Sequence, residues 1–345
     1  MTNGIRKFVF GCFGAALVLG VPAAGFTQTR IVMPAEPAQI WERPASKIPI
    51  LGGETYEKAI AVNPDVNLDL CVVQGNLRIN SWNRNEVRIF VKNGSRIGFK
   101  VREKSTKDGK PVWVTAIGYD PKQVNKGFPD CIWGEMIEID VPANASIEAK
   151  GQETGANIDG VRKVWVKNIG GNISVRNVRL GVTALTYEGD VTVDASEGPM
   201  MLETSTGNIT AFEVSPSEIG DRFKAKSASG AIVLDKVGHR QTEVNSISGS
   251  VMFTGEIRSG GSYILSTSNG SLRLVLAPTT GCQITAVYGY GTFSSEIPIK
   301  VETENVSPGP LKKVVGKLGV GGDALLRLTT NNGSITINKQ KKIKD

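Results

Sequence analysis

The 345-residue chain carries a formal net charge of +7, and its 40% hydrophobic and 21% charged residues allow a buried core and argue against disorder. Its single histidine argues against histidine-rich metal sites and most histidine-based acid–base chemistry. Its 40 glycines show no collagen-like period and accompany only 6% aromatic residues, which predicts short strands separated by many turns.

The N-terminus, residues 1–25, has the features of a secretory signal peptide. Arg6 and Lys7 precede an apolar run at 8–19, and small residues follow at 20–25, where a signal peptidase would cut. The run is shorter than the roughly 20 residues that a membrane helix needs. We therefore expect an exported protein, in the periplasm, on the cell surface or outside the cell, with no transmembrane segment in the mature chain. An uncleaved N-terminal anchor is the alternative.

Export makes the cysteines informative, because disulfides persist in oxidising compartments. Cys12 leaves with the signal peptide, whereas Cys71 lies in an apolar run and Cys131 in a loop of the same N-terminal third. We predict a disulfide between Cys71 and Cys131. The remaining Cys282 is predicted to be a small buried apolar residue.

Two regions precede the most regular part of the chain. Residues 26–53 contain four prolines and no apolar periodicity, which is typical of an extended Pro-rich linker. Residues 54–144 contain short alternating or β-branched runs and no helical period, which predicts an N-terminal β cap region. Within this region, residues 118–133 form a long loop that we interpret as a disulfide-stapled surface loop.

Residues 145–339 repeat a pentapeptide of glycine, a small or polar residue, an apolar residue, any residue and usually a second apolar residue. The copies begin at Gly171, Gly189, Gly207, Gly230, Gly249, Gly270 and Gly333, with a degenerate copy at Gly291; these eight are called the ladder glycines. Successive copies are 18, 18, 23, 19, 21, 21 and 42 residues apart, and the last spacing is twice the one before it. The period is typical of stacked structural repeats.

This repeat predicts a β-solenoid with coils of about 20 residues, followed by a basic tail at 340–345. Glycine fits a turn that needs positive φ, and the two apolar residues of each pentapeptide face the same side of a strand. An antiparallel sandwich is the alternative, but it gives no reason for one pentapeptide to recur at every second strand. The fold class expected is therefore all-β, a right-handed parallel solenoid behind the β cap.

The two apolar positions of the pentapeptides are predicted to share one interior. They are Ile173, Val175, Val191, Val193, Ile209, Ile232, Leu234, Val251, Phe253, Leu272, Leu274, Ile335 and Ile337.

At this level of detail the chain resembles the putative-adhesin β-solenoid domains of exported bacterial proteins. The resemblance rests on the segments 75–87, 137–142 and 328–337 and on the ladder glycines, and it covers roughly residues 55–339. It implies the solenoid fold and, by analogy, adhesion or a role at the cell envelope. The resemblance brings no catalytic residues with it.

The enzyme class that this architecture suggests is a carbohydrate-active β-helix, a polysaccharide lyase or hydrolase, which needs clustered carboxylates. In the sequence Asp159, Asp190, Asp194 and Asp235 look scattered, and only 321–323 hints at a calcium-binding repeat. His239 is expected at a polar corner between strands. We therefore expect no catalytic residue, metal or cofactor, with the enzyme as the alternative function.

The sequence points instead to a binding role, as an adhesin-like or cell-envelope scaffold module. The partner expected is an unidentified envelope or surface component, either protein or polysaccharide. The aromatic stretch with Tyr288, Tyr290 and Phe293 is the candidate contact site. Nucleic acid is not expected, because aromatic residues do not alternate with basic ones; the C-terminal lysines Lys339, Lys341, Lys342 and Lys344 would protect an open solenoid end.

Overall fold

A computed structural model describes residues 54–119, 130–306 and 311–341, and every regular element in these ranges is a β-strand. The predicted all-β class is confirmed. The signal peptide predicted at 1–25 and the linker predicted at 26–53 lie outside the described residues. In the described ranges there is no helix long and apolar enough to cross a membrane.

The strands fall into three groups along the chain. The first group is β1 (Tyr56–Ala61), β2 (Asn67–Trp82), β3 (Glu86–Lys92), β4 (Arg96–Lys104), β5 (Pro111–Tyr119) and β6 (Ile132–Pro142). The second is β7 (Ser146–Asp159), β8 (Lys163–Gly170), β9 (Ile173–Arg176), β10 (Val182–Glu188), β11 (Val191–Asp194), β12 (Met200–Thr206), β13 (Ile209–Phe212), β14 (Arg222–Ser229), β15 (Ile232–Asp235), β16 (Gln241–Ser248), β17 (Val251–Gly255), β18 (Ser262–Asn269) and β19 (Leu272–Leu276). The third is β20 (Cys282–Tyr290), β21 (Phe293–Ser295), β22 (Ile299–Asn305), β23 (Lys312–Leu318), β24 (Leu325–Asn332) and β25 (Ile335–Lys339).

The repeats build two parallel ladders of strands. Ladder 1 runs β7–β8–β10–β12–β14–β16–β18–β24–β20. Ladder 2 runs β7–β9–β11–β13–β15–β17–β19–β25–β21. Each coil contributes one strand to ladder 1, turns at a ladder glycine and contributes a shorter strand to ladder 2.

All thirteen predicted core side chains are buried, so the prediction of a shared interior is confirmed. In ladder 2, Ile232 pairs in register with Ile209 on one side and Val251 on the other. Parallel, in-register pairing stacks equivalent positions of successive coils on top of one another. Each coil thereby buries an apolar face that five residues alone could not bury.

The ladder glycines are needed because each turn presses against the turn of the preceding coil. Gly230 has a φ of +151°, and a Cβ built on it would lie 1.9 Å from the carbonyl oxygen of Gly207. Gly207 in turn has a φ of +147° and meets Gly189 in the same way. A side chain at these positions would collide with backbone, so the repeat tolerates only glycine there.

A row of buried hydroxyl groups satisfies the carbonyls of these turns. The Oγ1 of Thr204 donates to the Gly189 carbonyl at 2.9 Å, and the Oγ of Ser227 donates to that of Gly207 at 3.0 Å. The same bond recurs at Ser246, Thr267 and Thr330. Each hydroxyl lies three residues before the ladder glycine of its own coil. It donates to the carbonyl of the ladder glycine in the neighbouring coil, so no buried hydroxyl or carbonyl at this turn is left without a hydrogen bond.

The spatial order of the last coils differs from their order in the chain. The final coil, β24 and β25, lies between the β18–β19 coil and the β20–β21 coil. The last spacing of 42 residues therefore contains the inserted antiparallel strands β22 and β23, and it is not an ordinary coil that lacks the glycine pentapeptide. Because β25 lies between β19 and β21 inside ladder 2, Lys339 at its end does not cover an open edge, contrary to the prediction for that residue. Lys342 and Lys344 lie outside the described residues.

Antiparallel strands close the ends of ladder 1, so the sheet is mixed rather than purely parallel. At one end β4 pairs antiparallel with β5, and at the other β22 pairs antiparallel with β23. Both outer strands carry register irregularities, next to Val101 in β4 and next to Val301 in β22, and both are rich in charged residues. Irregular, charged edges discourage pairing with further chains.

The N-terminal strands continue the ladders. The long strand β2 pairs in parallel with β7 over most of its length, and it also pairs in parallel with β5 and β6. A disulfide joins Cys71 in β2 to Cys131, just before β6, with the Cα atoms 4.7 Å apart. Residues 120–129 of the predicted long loop lie outside the described ranges.

Candidate functional site

Among the strands of the two ladders, the outer face of ladder 1 carries the most exposed large apolar side chains. Ile169, Tyr187 and Ile247 are 57%, 60% and 55% exposed. On ladder 2 the corresponding outward side chains Phe212 and Val233 are only 37% and 36% exposed. Large exposed apolar groups concentrated on one face mark a surface that contacts something else.

These three side chains belong to one row that crosses ladder 1, called the outer row. Its members share a position, two residues before a ladder glycine. Because Thr186 pairs with Thr204 and Glu188 with Thr206, Tyr187 lies beside Ser205 on the next strand. In spatial order the outer row reads Ile169, Tyr187, Ser205, Ala228, Ile247, Ser268, Asn331 and Gly289.

Two small residues leave a notch in the outer row. Ser205 and Ala228 lie between the large side chains of Tyr187 and Ile247. The strands of Tyr187 and Ile247 are three ladder steps apart, which is about 14 Å at the usual spacing between strands. The notch therefore has an aromatic wall on one side and an aliphatic wall on the other.

A second row of outward side chains lies two residues earlier on each strand, next to the outer row. We call this second row the floor. Its members from β8 to β16 are Lys167, Leu185, Glu203, Lys226 and Asn245. Together the two rows enclose an open cavity of about 670 Å³. We call it the ladder 1 groove.

The floor holds charged groups that the described part of the chain leaves unpaired. Glu203 and Lys226 lie opposite each other on neighbouring strands, yet neither makes a side-chain hydrogen bond or ion pair with a described residue. Glu243, at the edge of the groove, differs because its carboxylate lies 3.5 Å from the guanidinium of Arg222. Lys167, in the same row, also has no side-chain partner among the described residues. The groove thus offers a ligand one free carboxylate, that of Glu203, and two free ammonium groups, those of Lys167 and Lys226.

A smaller cavity of about 230 Å³ adjoins the Cys71–Cys131 disulfide. Its charged side chains are already paired: Lys100 lies 2.7 Å from Asp130, and Arg102 lies 3.2 Å from Asp69. Paired charges leave this cavity less bonding capacity for a ligand than the ladder 1 groove.

The predicted aromatic contact site is only partly at the surface. Tyr290 is 69% exposed, but Tyr288 is 6% exposed and its ring stacks on the half-buried Phe293 at a centroid distance of 6.0 Å. Burial raises the pKa of the Tyr288 phenol. Partner contact at this stretch stays a prediction, and Tyr290 is the residue of the three that is placed to make it.

The aspartates that look scattered in the sequence are in part aligned by the ladders. Asp159, Asp194 and Asp235 lie in one row on ladder 2, separated by Arg176 and Phe212. The aspartates become aligned because the coils stack in parallel and in register although they differ in length. The number of residues between these aspartates in the sequence did not reveal the alignment.

The aligned row is nevertheless not a cluster of free carboxylates. Asp159 accepts hydrogen bonds from Arg176 at 2.9 Å and from Asn177 at 2.7 Å. Asp190 lies off the row and accepts the backbone N–H of Asn208 at 2.7 Å. In the described ranges, no three potential ligands among His, Cys, Asp and Glu come together as a metal site.

Two further residues singled out in the sequence have structural partners. The carboxylate of Asp323 accepts the backbone N–H of Gly260 at 3.0 Å and the hydroxyl of Ser259 at 2.8 Å, and these bonds lower the pKa of Asp323. Cys282 is a free, buried thiol, as predicted, and burial raises its pKa to about 11.

His239 lies in the turn between β15 and β16, as predicted, but its side chain points into the interior rather than forming part of a polar corner. It is fully buried, with its ring centroid 5.8 Å from that of Phe223. Its Nε2 lies 2.8 Å from the carbonyl oxygen of Gly198, and since that oxygen can only accept, Nε2 carries the proton. The turn between β15 and β16 therefore places the ring in the interior, next to the ring of Phe223.

The buried imidazole predicts a pH-dependent stability. Burial lowers the pKa of His239 below its ordinary value, with the Gly198 carbonyl opposing the shift. The unfolded chain therefore binds a proton near pH 6.5 that the folded chain does not, so the free energy of unfolding should fall as the pH drops from 7.5 through this window. Urea titrations at pH 7.5 and 5.5 should show this loss.

The variant His239→Gln is the control for this prediction, because the chain then has no other histidine to titrate in the window. It should lose less stability than the wild type between the two pH values. An equal loss in both proteins would show that His239 is not the group responsible.

Sequence reasoning missed the groove because it read each strand as one buried face and one solvated face. The available signal was the residue two before each ladder glycine, which should be polar on a solvated face. At this position the sequence has Ile169, Tyr187 and Ile247 in three coils but Ser205 and Ala228 in the two coils between. That sequence of large, small and large side chains could have predicted the notch.

No protein-family model and no curated protein matches the chain. Among solved structures it is similar to a "putative cell adhesion protein" from Clostridium sporogenes, at 13% identity and a TM-score of 0.21, over 83% of this chain and 100% of the other. It is also similar to a "putative adhesin" from Parabacteroides merdae, at 12% identity and a TM-score of 0.32, over 84% and 98%. A "putative lipid binding protein" from Parabacteroides distasonis is similar at 11% identity and a TM-score of 0.26, over 84% and 98%.

Proposed function

We propose that the protein is an exported, non-enzymatic binding module, adhesin-like or part of a cell-envelope scaffold, whose ladder 1 groove holds its partner. The observation that carries this proposal is the groove itself. The exposed Tyr187 and Ile247 lie on either side of a notch, next to Glu203 and Lys226, which have no side-chain partner among the described residues. Concave sites that combine apolar walls with a few polar groups are the usual form of a ligand site.

The proposal includes the wider architecture read from the sequence. The signal peptide at 1–25 exports the chain, the Pro-rich linker at 26–53 acts as a tether, and the ladders wind as a right-handed solenoid. Stacked coils support such a role, because they present side chains at regular intervals along an extended surface.

The alternative, a carbohydrate-active β-helix enzyme, would use the aspartate row of ladder 2. This alternative is less well supported, because Arg176 and Asn177 occupy the carboxylate of Asp159 and neither cavity described above lies on that row. Release of sugar products that stops in the variant Asp194→Asn would favour the enzyme over the binding module.

A glycan and envelope-fraction array tests the proposed function. The purified wild-type protein should bind at least one component of the array. Ala228→Arg, which fills the notch with a long side chain at an exposed position, should lose that binding. Leu325→Ala, at an exposed apolar residue of the same ladder outside the groove, should keep it. Binding that Ala228→Arg retains, or that Leu325→Ala loses, would place the partner elsewhere and contradict the proposal.

A further inference from the structure

We propose that the occupant of the ladder 1 groove is an oligosaccharide built from N-acetylhexosamine units. This inference rests on the function proposed above and names the ligand class of the same site. It follows from three properties of the groove: the chemistry of its floor, the chemistry of its walls and its size.

The charged floor excludes a purely apolar occupant. A fatty acyl chain or an apolar protein segment would give no hydrogen bond to the groove, and even if the neighbouring Glu203 and Lys226 then paired with each other, the ammonium group of Lys167 would stay unpaired. Burying an unpaired charge costs several kcal/mol, more than the contacts with Tyr187 and Ile247 would return. The occupant must therefore carry hydrogen-bonding groups along the side that meets the floor.

The mixed charge of the floor also disfavours a polyanion. The free charges of the groove are Lys167, Lys226 and, between them, the carboxylate of Glu203, because Glu243 at the edge is paired with Arg222. A nucleic acid or an acidic polysaccharide would bring its negative groups close to the central Glu203 carboxylate, and like charges in a partly desolvated site repel. A neutral occupant with both donors and acceptors fits this floor better.

The walls select a molecule that has an apolar face as well as polar groups. The exposed ring of Tyr187 offers a flat surface on one side of the notch, and Ile247 closes the other side. One face of a pyranose ring carries several axial C–H groups that can pack on an aromatic face, whereas its hydroxyl groups point outward. The strands that carry the two walls are about 14 Å apart, and the small side chains between them leave room for a sugar ring.

The acetamido group matches the central part of the groove. Such a group has one N–H donor, one carbonyl acceptor and one methyl group. Glu203 can accept from the N–H, and Lys226, opposite it on the next strand, can donate to the carbonyl. Ala228, two residues after Lys226, supplies an apolar contact for the methyl group. A hexose without the acetamido group offers Glu203 and Lys226 only hydroxyl groups as hydrogen-bonding partners, and it has no methyl group for Ala228.

Two trisaccharides that differ only in their acetamido groups test the inference. We expect tri-N-acetylchitotriose to bind the wild-type protein at least about tenfold more tightly than cellotriose in isothermal titration calorimetry, because charge-assisted hydrogen bonds are worth that much. Tyr187→Ala should weaken both sugars by a similar factor, since the ring packs on either pyranose.

Glu203→Leu should act differently from Tyr187→Ala. It should weaken tri-N-acetylchitotriose by about tenfold and leave cellotriose nearly unchanged, so that the preference disappears. Leu325→Ala, outside the groove, should leave the affinity for both sugars unchanged. Circular dichroism and the thermal midpoint of each variant establish that it is folded before its affinity is compared.

Two outcomes would overturn the inference, and they are distinguishable from failure of the proposed function. Equal affinity for both trisaccharides, or a preference that Glu203→Leu retains, would refute N-acetylhexosamine as the ligand class. If the array still shows binding that Ala228→Arg abolishes, the binding function stands and only the ligand class is wrong. Absence of any binding that depends on the groove would refute both.

Discussion

Replacing Ile232 with aspartate is expected to lower the free energy of unfolding by about 3–5 kcal/mol, because an unpaired carboxylate would lie in the stacked interior. Ile232 is 0% exposed and lies between Ile209 and Val251 of the neighbouring coils. Urea unfolding monitored by circular dichroism at pH 7.5 measures the change.

The matched control is Val233→Asp, one residue further along the same strand. The side chain of Val233 points outward and is 36% exposed, so its replacement should change the stability by less than about 1 kcal/mol. If Ile232→Asp unfolded at the same urea concentration as Val233→Asp, the shared interior of the coils would be refuted.

Replacing Gly230 with alanine is expected to cost about 3 kcal/mol. The residue has a φ of +151°, and the new Cβ would collide with the Gly207 carbonyl, so the turn must shift and strain its neighbours. The thermal midpoint and the urea midpoint should both fall.

Gly170→Ala provides the control for this turn. Gly170 lies next to the ladder glycine Gly171, but its φ is not in the left-handed region and the nearest atom to a new Cβ is 3.7 Å away. Its replacement should be close to neutral. Equal destabilisation by the two variants would show that the stacked turns do not require glycine.

The parts of the fold that sequence could predict are those that repeat. Apolar positions such as Ile232 and Leu234 recur at a fixed distance from a ladder glycine, so their burial followed from strand periodicity alone. The buried hydroxyls, for example Thr204 and Ser227, also recur at a fixed position. They look like ordinary turn residues in the sequence, and only the stacking of coils shows that each bonds the preceding coil.

The parts that could not be predicted depend on which coils become neighbours. Strand β24 lies between β18 and β20, which reverses the spatial order of the last two coils. The residues of the pentapeptide do not determine which coil stacks on which. The antiparallel strands β22 and β23 lack the glycine repeat and were therefore not recognised as part of the sheet. The alignment of Asp159 with Asp194 has the same cause.

For the site, the limits of prediction are similar. Tyr288 and Tyr290 stand out in the sequence as aromatic residues two apart, but Tyr288 lies in the interior and only Tyr290 is well exposed. The residues of the groove come from five coils and become neighbours through strand register. Glu203 and Lys226 are one coil apart in the chain and lie side by side in ladder 1.

A crystal structure of the protein grown with saturating tri-N-acetylchitotriose tests directly whether the ladder 1 groove binds an N-acetylhexosamine oligosaccharide. We expect the sugar in the ladder 1 groove, with one ring on Tyr187, the acetamido group between Glu203 and Lys226, and its methyl group on Ala228. A groove that stays empty at saturating sugar, or a sugar bound at Tyr290 or on ladder 2, would contradict the account.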